Sequence, residues 1–188
     1  MAMIETEIKL RVDGAEAMKR RLEEQGFRIT IPRVLQVDQV FDLPDQPLLR
    51  SGKLLRVRST NGKAILTYKG PALGGRHKSR EELEAATRDV GALNAILNRL
   101  GYAPAFRYEK YRTTFQDGSG TLHAVAALDE TPIGVFLELE GPEDWIDRTA
   151  EDLGFGPGDY ITASYGSLYR EHLKLHGGPA DMIFSNPS

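Results

Sequence analysis

Ile4-Glu5-Thr6-Glu7-Ile8-Lys9-Leu10-Arg11 alternates small or apolar residues with charged ones without a break. Side chains leave a β-strand on alternate faces, so Glu5, Glu7, Lys9 and Arg11 share one face and Ile4, Thr6, Ile8 and Leu10 the other. A single amphipathic strand of this kind is usually a wall with one solvated side. Recurrence changes the reading. Period-two patterning returns at residues 34–41, 53–59, 63–69, 80–86, 106–115, 121–130 and 134–140, which makes eight predicted strands.

Between them lie four stretches with helical spacing: residues 14–24, 89–100, 143–153 and 162–175. The first three end in a Gly-aromatic pair, at Gly26-Phe27, Gly101-Tyr102 and Gly154-Phe155, where glycine suits the left-handed residue that closes a helix. Runs of strands punctuated by helices, with no regular βαβ alternation, favour an antiparallel α+β sheet or barrel over a doubly wound parallel sheet. Residues 1–176 read as one domain and 177–188, with two Gly and two Pro, as a flexible C-terminal tail. The loop 69–78, holding Gly70-Pro71 and Gly74-Gly75, reads as the most flexible interior connection.

Composition narrows the chemistry. The 188 residues are 40% hydrophobic and 27% charged, enough for one sizeable core. A formal net charge of −3, from 24 basic and 27 acidic residues, speaks against a nucleic-acid scaffold. With no cysteine and four scattered histidines, a metal would have to sit on carboxylates. His77 and His123 lack metal-ligand spacing and read as surface or packing residues. Neither an apolar leader nor a run near the ~20 residues of a membrane span is present, so a cytoplasmic location is expected.

The charged strand positions are sorted by sign. Arg56/Arg58 and Lys110/Arg112 place two cations on one strand face, and Glu5/Glu7, Glu82/Glu84 and Glu138/Glu140 place two carboxylates. Like charges two residues apart lie only about 7 Å from each other, and a solvated face would mix signs. Basic pairs suit phosphate oxygens, arginine through bidentate hydrogen bonds and lysine as a point charge. Carboxylate pairs suit a hard divalent cation. If the strands close with these faces inward, the interior is a polar tunnel and the apolar faces look outward to the helices. The competing reading is a network of salt bridges that merely fills the barrel, because buried charges are costly unless paired, hydrated or ligated.

These residues fall in an order that resembles the CYTH superfamily, the triphosphate tunnel metalloenzymes, which includes class IV adenylate cyclases, thiamine triphosphatases and inorganic triphosphatases. Glu5-x-Glu7-x-Lys9 is similar to the family's opening motif, and Gln36-x-Asp38-x-x-Phe41-Asp42 to the motif that follows it. Arg56-x-Arg58, Lys69, Arg80-x-Glu82-x-Glu84, Lys110-x-Arg112, Asp129, Gly134-x-Phe136-x-Glu138-x-Glu140 and Ser164-Tyr165-x-x-Leu168 continue the pattern, over roughly residues 3–175.

The resemblance implies a closed eight-stranded antiparallel tunnel covered by about four helices, a Mg²⁺ or Mn²⁺ cofactor, a triphosphate-bearing small molecule as substrate, and often a homodimer. By the same resemblance Glu5, Glu7, Glu138 and Glu140 are expected to face metal, with Asp129, Glu82 and Glu84 as further candidates. Lys9, Arg56, Arg58, Lys69, Lys110 and Arg112 are expected to hold phosphate. Glu5, Glu7 and Lys110 are the expected catalytic groups; Lys110 could assist an attacking water, though a phosphate contact is its plainer role. Gln36 and Asp38 read as structural positions. A phosphoanhydride hydrolase is the first expectation, an adenylate cyclase releasing pyrophosphate the second, and a non-catalytic polyphosphate or nucleotide binder the third.

Overall fold

The computed structural model describes residues 3–121 and 123–185. Eight antiparallel strands, β1 (Met3–Val12), β2 (Arg28–Asp42), β3 (Leu54–Thr60), β4 (Lys63–Lys69), β5 (Lys78–Thr87), β6 (Ala103–Gln116), β7 (Val125–Thr131) and β8 (Gly134–Glu140), close into a barrel. The order around the wall is β1-β5-β4-β3-β2-β6-β7-β8. Its helices are α1 (Ala15–Glu24), α2 (Pro47–Arg50), α3 (Val90–Arg99), α4 (Glu143–Asp152) and α5 (Tyr165–His176). The four longer ones stand outside the wall. The expected barrel and its helical cover are both present.

Two hydrophobic clusters lie outside the barrel, as the strand alternation requires, and a third takes in Tyr108 and Phe136 from the charged face together with Tyr165, Tyr169 and Met182. Ile8 and Leu10 of β1, with Leu137 and Leu139 of β8, pack against Met18 and Leu22 of α1 and Trp145 and Ile146 of α4. A second cluster joins Phe41, Val57 and Ala64 of the wall to Leu97 of α3. Burial of each large apolar side chain contributes roughly 1.5–3 kcal/mol, so the helices stabilise the wall from behind while its inner face stays free for charge.

The three Gly-aromatic helix ends behave as read. Gly26, Gly101 and Gly154 have φ of +88°, +88° and +76°. In each case the aromatic residue's N–H reaches back to a carbonyl five residues earlier, as from Phe27 to Leu22 at 2.9 Å.

Several boundaries differ from the sequence reading, and α2 is a helix that it did not contain. β2 starts at Arg28, six residues early, and its register against β6 shifts between Ile29 and Ile31 and again between Ile31 and Val34, the second shift spanning Pro32. Proline cannot donate to a ladder, so the strand continues through irregular pairing that period-two counting misses. β7 begins at Val125 rather than at 121; Leu122, within the predicted strand, lies outside the described residues. β5 begins two residues early, at Lys78. α2 follows left-handed Asp45 and Gln46 and is anchored by Asp42, whose carboxylate accepts the N–H groups of Leu43, Leu48 and Leu49 at 2.8–3.1 Å.

The segment after α5 makes specific contacts over its described residues. Met182 is fully buried and exchanges backbone hydrogen bonds with β6, accepting from Glu109 and donating to Arg107. β7 pairs with β6 only over Tyr111–Phe115, which leaves this stretch of edge open for the chain end to cover. Residues 186–188 lie outside the described residues.

Candidate active site

The inner face of the barrel carries the charges, and the register shows how they meet. Arg58 stands opposite Asp38, Lys69 opposite Glu82, Lys9 opposite Glu138, Arg112 opposite Asp129, and Lys78 opposite Glu7. Pairs sorted by sign along a strand therefore find opposite signs across strands. The salt-bridge network envisaged as the alternative is present; its charges are unevenly distributed around the wall.

Strands β3, β2, β6 and β7 form the cation-rich half. Asp38, fully buried, accepts a hydrogen bond from Arg58 at 2.9 Å and forms an ion pair with Arg56 at 3.3 Å. Asp129, also fully buried, accepts two parallel bonds from Arg112 at 2.6 Å, one from Lys110 at 2.7 Å and one from the Tyr165 hydroxyl at 2.7 Å. Each of these carboxylates serves two cations. The surplus has a consequence: burial, together with Arg112, lowers the Lys110 ammonium to about pKa 8.

Strands β8, β1, β5 and β4 form the acid-rich half. Lys69 serves both Glu5 and Glu82, the latter at 2.7 Å. Glu140 makes no ion pair among the described residues, although Glu7 stands directly opposite on β1. Burial and the charges of Glu5 and Glu7 push the Glu140 carboxyl up to about 8; burial and a hydrogen bond with Glu82 push Glu5 up to about 7. Glu7 behaves differently. Burial works against its charge, but Lys9 and Lys78, at 3.2 and 2.7 Å from Oε1, more than offset that and hold it well below the usual carboxylate range. Glu138 is likewise held low against burial, by Lys9 and Arg112.

The structure thus places Glu5, Glu7, Glu82, Glu84, Glu138, Glu140, Lys9, Lys69, Arg56, Arg58, Lys110 and Arg112 on one cavity of about 740 Å³, with Asp129 buried behind Lys110 and Arg112. Lys78 and Arg80 also line it and were missed as site residues. Lys78 lies two residues before the predicted start of β5; once the strand extends to it, alternation puts it on the inward face with Arg80, Glu82 and Glu84. Tyr165, quoted only as part of a motif, lies beneath two ammonium groups, with its ring centroid 5.3 Å from Lys9 Nζ and 4.9 Å from Lys110 Nζ. Asp38, read from the sequence as a structural position, is buried and paired with both Arg56 and Arg58.

The acid-rich half offers hard carboxylate oxygens, the donor type that could hold a divalent cation, and burial with neighbouring carboxylates raises the Glu5 and Glu140 carboxyls. Among the described residues no three His, Asp or Glu side chains form a ready-made cage. Glu82, Glu5 and Lys69 are instead held as an ion-paired group. Asp129 has both oxygens committed to Lys110, Arg112 and Tyr165, which suits a structural counter-ion better than a metal ligand.

The cavity also has apolar lining, from Leu48 and Leu49 of α2 and from the packed group of Phe106 of β6 with Tyr169 and Leu173 of α5. No helix among the described residues is long and apolar enough to cross a membrane.

A family model described as the CYTH domain matches residues 3–165. A protein of Methanocaldococcus jannaschii, provisionally named an adenylate cyclase, is 31% identical over 139 residues, 73% of this chain and 77% of that protein. The crystal structure of a Vibrio parahaemolyticus protein, also provisionally named an adenylate cyclase, superposes with a TM-score of 0.78 at 18% identity, covering 90% of this chain and 99% of the other. A Hippeastrum protein gives a TM-score of 0.65 at 19% identity, covering 92% and 96%; its structure is described as an adenylyl cyclase candidate with a dominant triphosphatase activity.

Proposed function

Because the chain belongs to the CYTH domain family, we propose that it is a divalent-metal-dependent hydrolase that cleaves a phosphoanhydride bond of a triphosphate. The observation that carries this reading is the division of one cavity into a cation-rich wall and an acid-rich wall. A triphosphate is a chain of anionic oxygens that needs cations along its length. Its cleavage is catalysed mainly by positioning and charge neutralisation.

Arg56, Arg58, Lys110 and Arg112 hold phosphate oxygens from one side, and Lys9 and Lys69 from the other. Arg112 has its Nε and Nη2 committed to Asp129, which fixes the plane of the guanidinium, so its remaining N–H edge would meet phosphate oxygens in a fixed direction. Lys110, lowered to about 8, is still mostly protonated at neutral pH and serves as a compact cation; assistance to the attacking water is its secondary role. Glu5, Glu82 and Glu140 would hold the metal, with Glu7 beside them and Glu84 and Glu138 at the margins. A bound Mg²⁺ or Mn²⁺ supplies neutralisation of phosphate oxygens and activation of water. Water adds to a phosphorus atom and releases a proton to solvent, the bridging P–O bond breaks, and the leaving phosphate departs with the electron pair.

The apolar lining supports a second reading. Leu48, Leu49, Phe106, Tyr169 and Leu173 would accommodate an organic group attached to the triphosphate, as in a nucleotide. With a ribose hydroxyl as nucleophile the same walls would serve a cyclase, the activity by which the M. jannaschii relative is provisionally named. The triphosphatase activity described for the Hippeastrum protein supports hydrolysis as the first reading.

The test is phosphate release from tripolyphosphate and from ATP with Mg²⁺ or Mn²⁺, repeated with chelator and with Glu5→Gln. Metal-dependent release that the substitution abolishes is expected. Cyclic AMP with pyrophosphate as the products from ATP would transfer the assignment to the cyclase. Tight binding with no turnover of either compound would reduce the protein to a binding module.

A further inference from the structure

Lys78 and Lys9 meet on one oxygen of Glu7, yet they arrive on different pieces of chain. The β1–β5 ladder ends at the rung Glu7–Lys78. Beyond it, the same edge of β1 is taken over by a segment from the far end of the chain: Lys9 and Ile161 exchange N–H···O bonds of 2.9 Å in both directions. The wall therefore contains a seam where β5 stops and residue 161 begins, directly behind the two ammonium groups.

Asp147 of α4 spans that seam from outside. Its Oδ1 accepts from the Tyr160 hydroxyl at 2.9 Å and lies 2.8 Å from His77 Nε2, while Oδ2 is paired with Arg76. His77 immediately precedes Lys78, and Tyr160 immediately precedes Ile161. Alternation along an extended chain turns His77 outward as Lys78 turns inward. The His77 side chain is almost fully buried, with its ring 5.9 Å from that of Tyr160 and Nδ1 3.6 Å from Glu143. One carboxylate outside the barrel thus fastens both abutting segments. It also tethers a loop whose Gly70, Gly74 and Gly75 would otherwise leave the approach to Lys78 loose.

We propose that Asp147, with His77 and Tyr160, is a positioning clamp that fixes the Lys78 ammonium against Glu7 and thereby completes the tunnel's cation set for a triphosphate. Lys78 is the residue through which the clamp acts, and Asp147 touches no substrate. The functional part of this inference rests on the triphosphate reading above; the structural part does not.

The experiment is a double-mutant cycle with Asp147→Asn and Lys78→Met, read by steady-state turnover of tripolyphosphate with Mg²⁺, together with amide hydrogen exchange over residues 70–80. Tyr160→Phe, which removes a single hydroxyl, serves as the mild variant if Asp147→Asn folds poorly. Asp147→Asn is expected to raise KM about ten-fold with kcat held within about two-fold, and to add less than about two-fold once Lys78 is already methionine. The same ten-fold loss in both backgrounds would overturn the clamp, since a general structural defect does not depend on Lys78. If the wild type neither binds nor hydrolyses tripolyphosphate, the triphosphate reading fails, and exchange decides the clamp alone. Faster exchange at Lys78 and Ser79 in either variant supports it, and unchanged exchange overturns it.

Discussion

Replacing Glu140 by glutamine removes one charge from the acid-rich wall while keeping the side chain's shape. In the metal-free protein the Glu140 carboxyl is raised from 4.5 to about 8 by burial and by Glu5 and Glu7. Below about pH 4.5 the folded and unfolded chains both carry the proton, so the substitution should be nearly silent. As pH rises from about 4.5 to about 8 the folded chain keeps a proton that the unfolded chain releases, and wild-type stability falls. Above about 8 the full cost of the buried charge is present.

At about 1.4 kcal/mol per pKa unit, the rise corresponds to a ceiling of about 5 kcal/mol. Glu5, itself raised to about 7, relaxes when its neighbour changes, and about 2 kcal/mol is expected for the single substitution. The assay is urea unfolding of both proteins at pH 5 and pH 9 with chelator present. Glu140→Gln should match wild type at pH 5 and exceed it by about 2 kcal/mol at pH 9. The Lys78 and Lys110 ammonium groups, each lowered to about 8 chiefly by burial, also titrate in this range, but they are common to both proteins and cancel to first order. Saturating Mg²⁺ or Mn²⁺ should reverse the order at pH 9, because a cation bound only by the folded state stabilises it by mass action. An equal difference at the two pH values, or a variant weaker than wild type at pH 9 without metal, would refute the reasoning.

Three further substitutions probe the wall. Asp38→Asn leaves Arg56 and Arg58 as buried guanidiniums without their shared carboxylate, which should cost about 3–5 kcal/mol in a urea titration at neutral pH. Since Arg58 and Arg56 outweigh burial and hold Asp38 below its ordinary value, wild type should lose this same stability as pH falls through the carboxyl's depressed pKa. Tyr165→Phe removes a 2.7 Å bond to Asp129 but keeps the ring beneath Lys9 and Lys110; thermal unfolding should register a loss of about 1–3 kcal/mol. Met182→Ala empties a fully buried seat beside Tyr108 and Phe136 and should destabilise by about 2–5 kcal/mol, whereas an undocked chain end would show no change.

What the sequence made legible follows the range of the interactions involved. Glu5, Glu7 and Lys9 could be placed on one face because strand alternation is local, and Gly26, Gly101 and Gly154 could be read as helix ends because a left-handed cap is local too. Irregularity hid the rest of β2: Pro32 interrupts the pattern while the strand continues on shifted pairing. The sorting of charges was visible along each strand, but its resolution across strands was not. That Arg58 meets Asp38, or that Glu140 makes no ion pair among the described residues, depends on register between distant segments.

Lys78 illustrates the same limit. Its face follows from alternation with Arg80 and Glu82, but that β5 reaches back to Lys78 and meets Glu7 depends on pairing with β1, and the adjoining His77 is held by Asp147, about seventy residues away. Gly177, Gly178, Pro179 and Pro187 suggested a loose chain end because composition reports backbone freedom; it does not report the open edge of β6 that receives Met182.

The proposed chemistry is tested most directly by ³¹P NMR of the purified protein with tripolyphosphate, and separately with ATP, in Mg²⁺ or Mn²⁺. Growth of orthophosphate and pyrophosphate signals at the expense of tripolyphosphate, or of orthophosphate and ADP from ATP, and its absence in Glu5→Gln, is the predicted result. Pyrophosphate appearing together with cyclic AMP, or spectra unchanged with metal present, would contradict a triphosphate hydrolase.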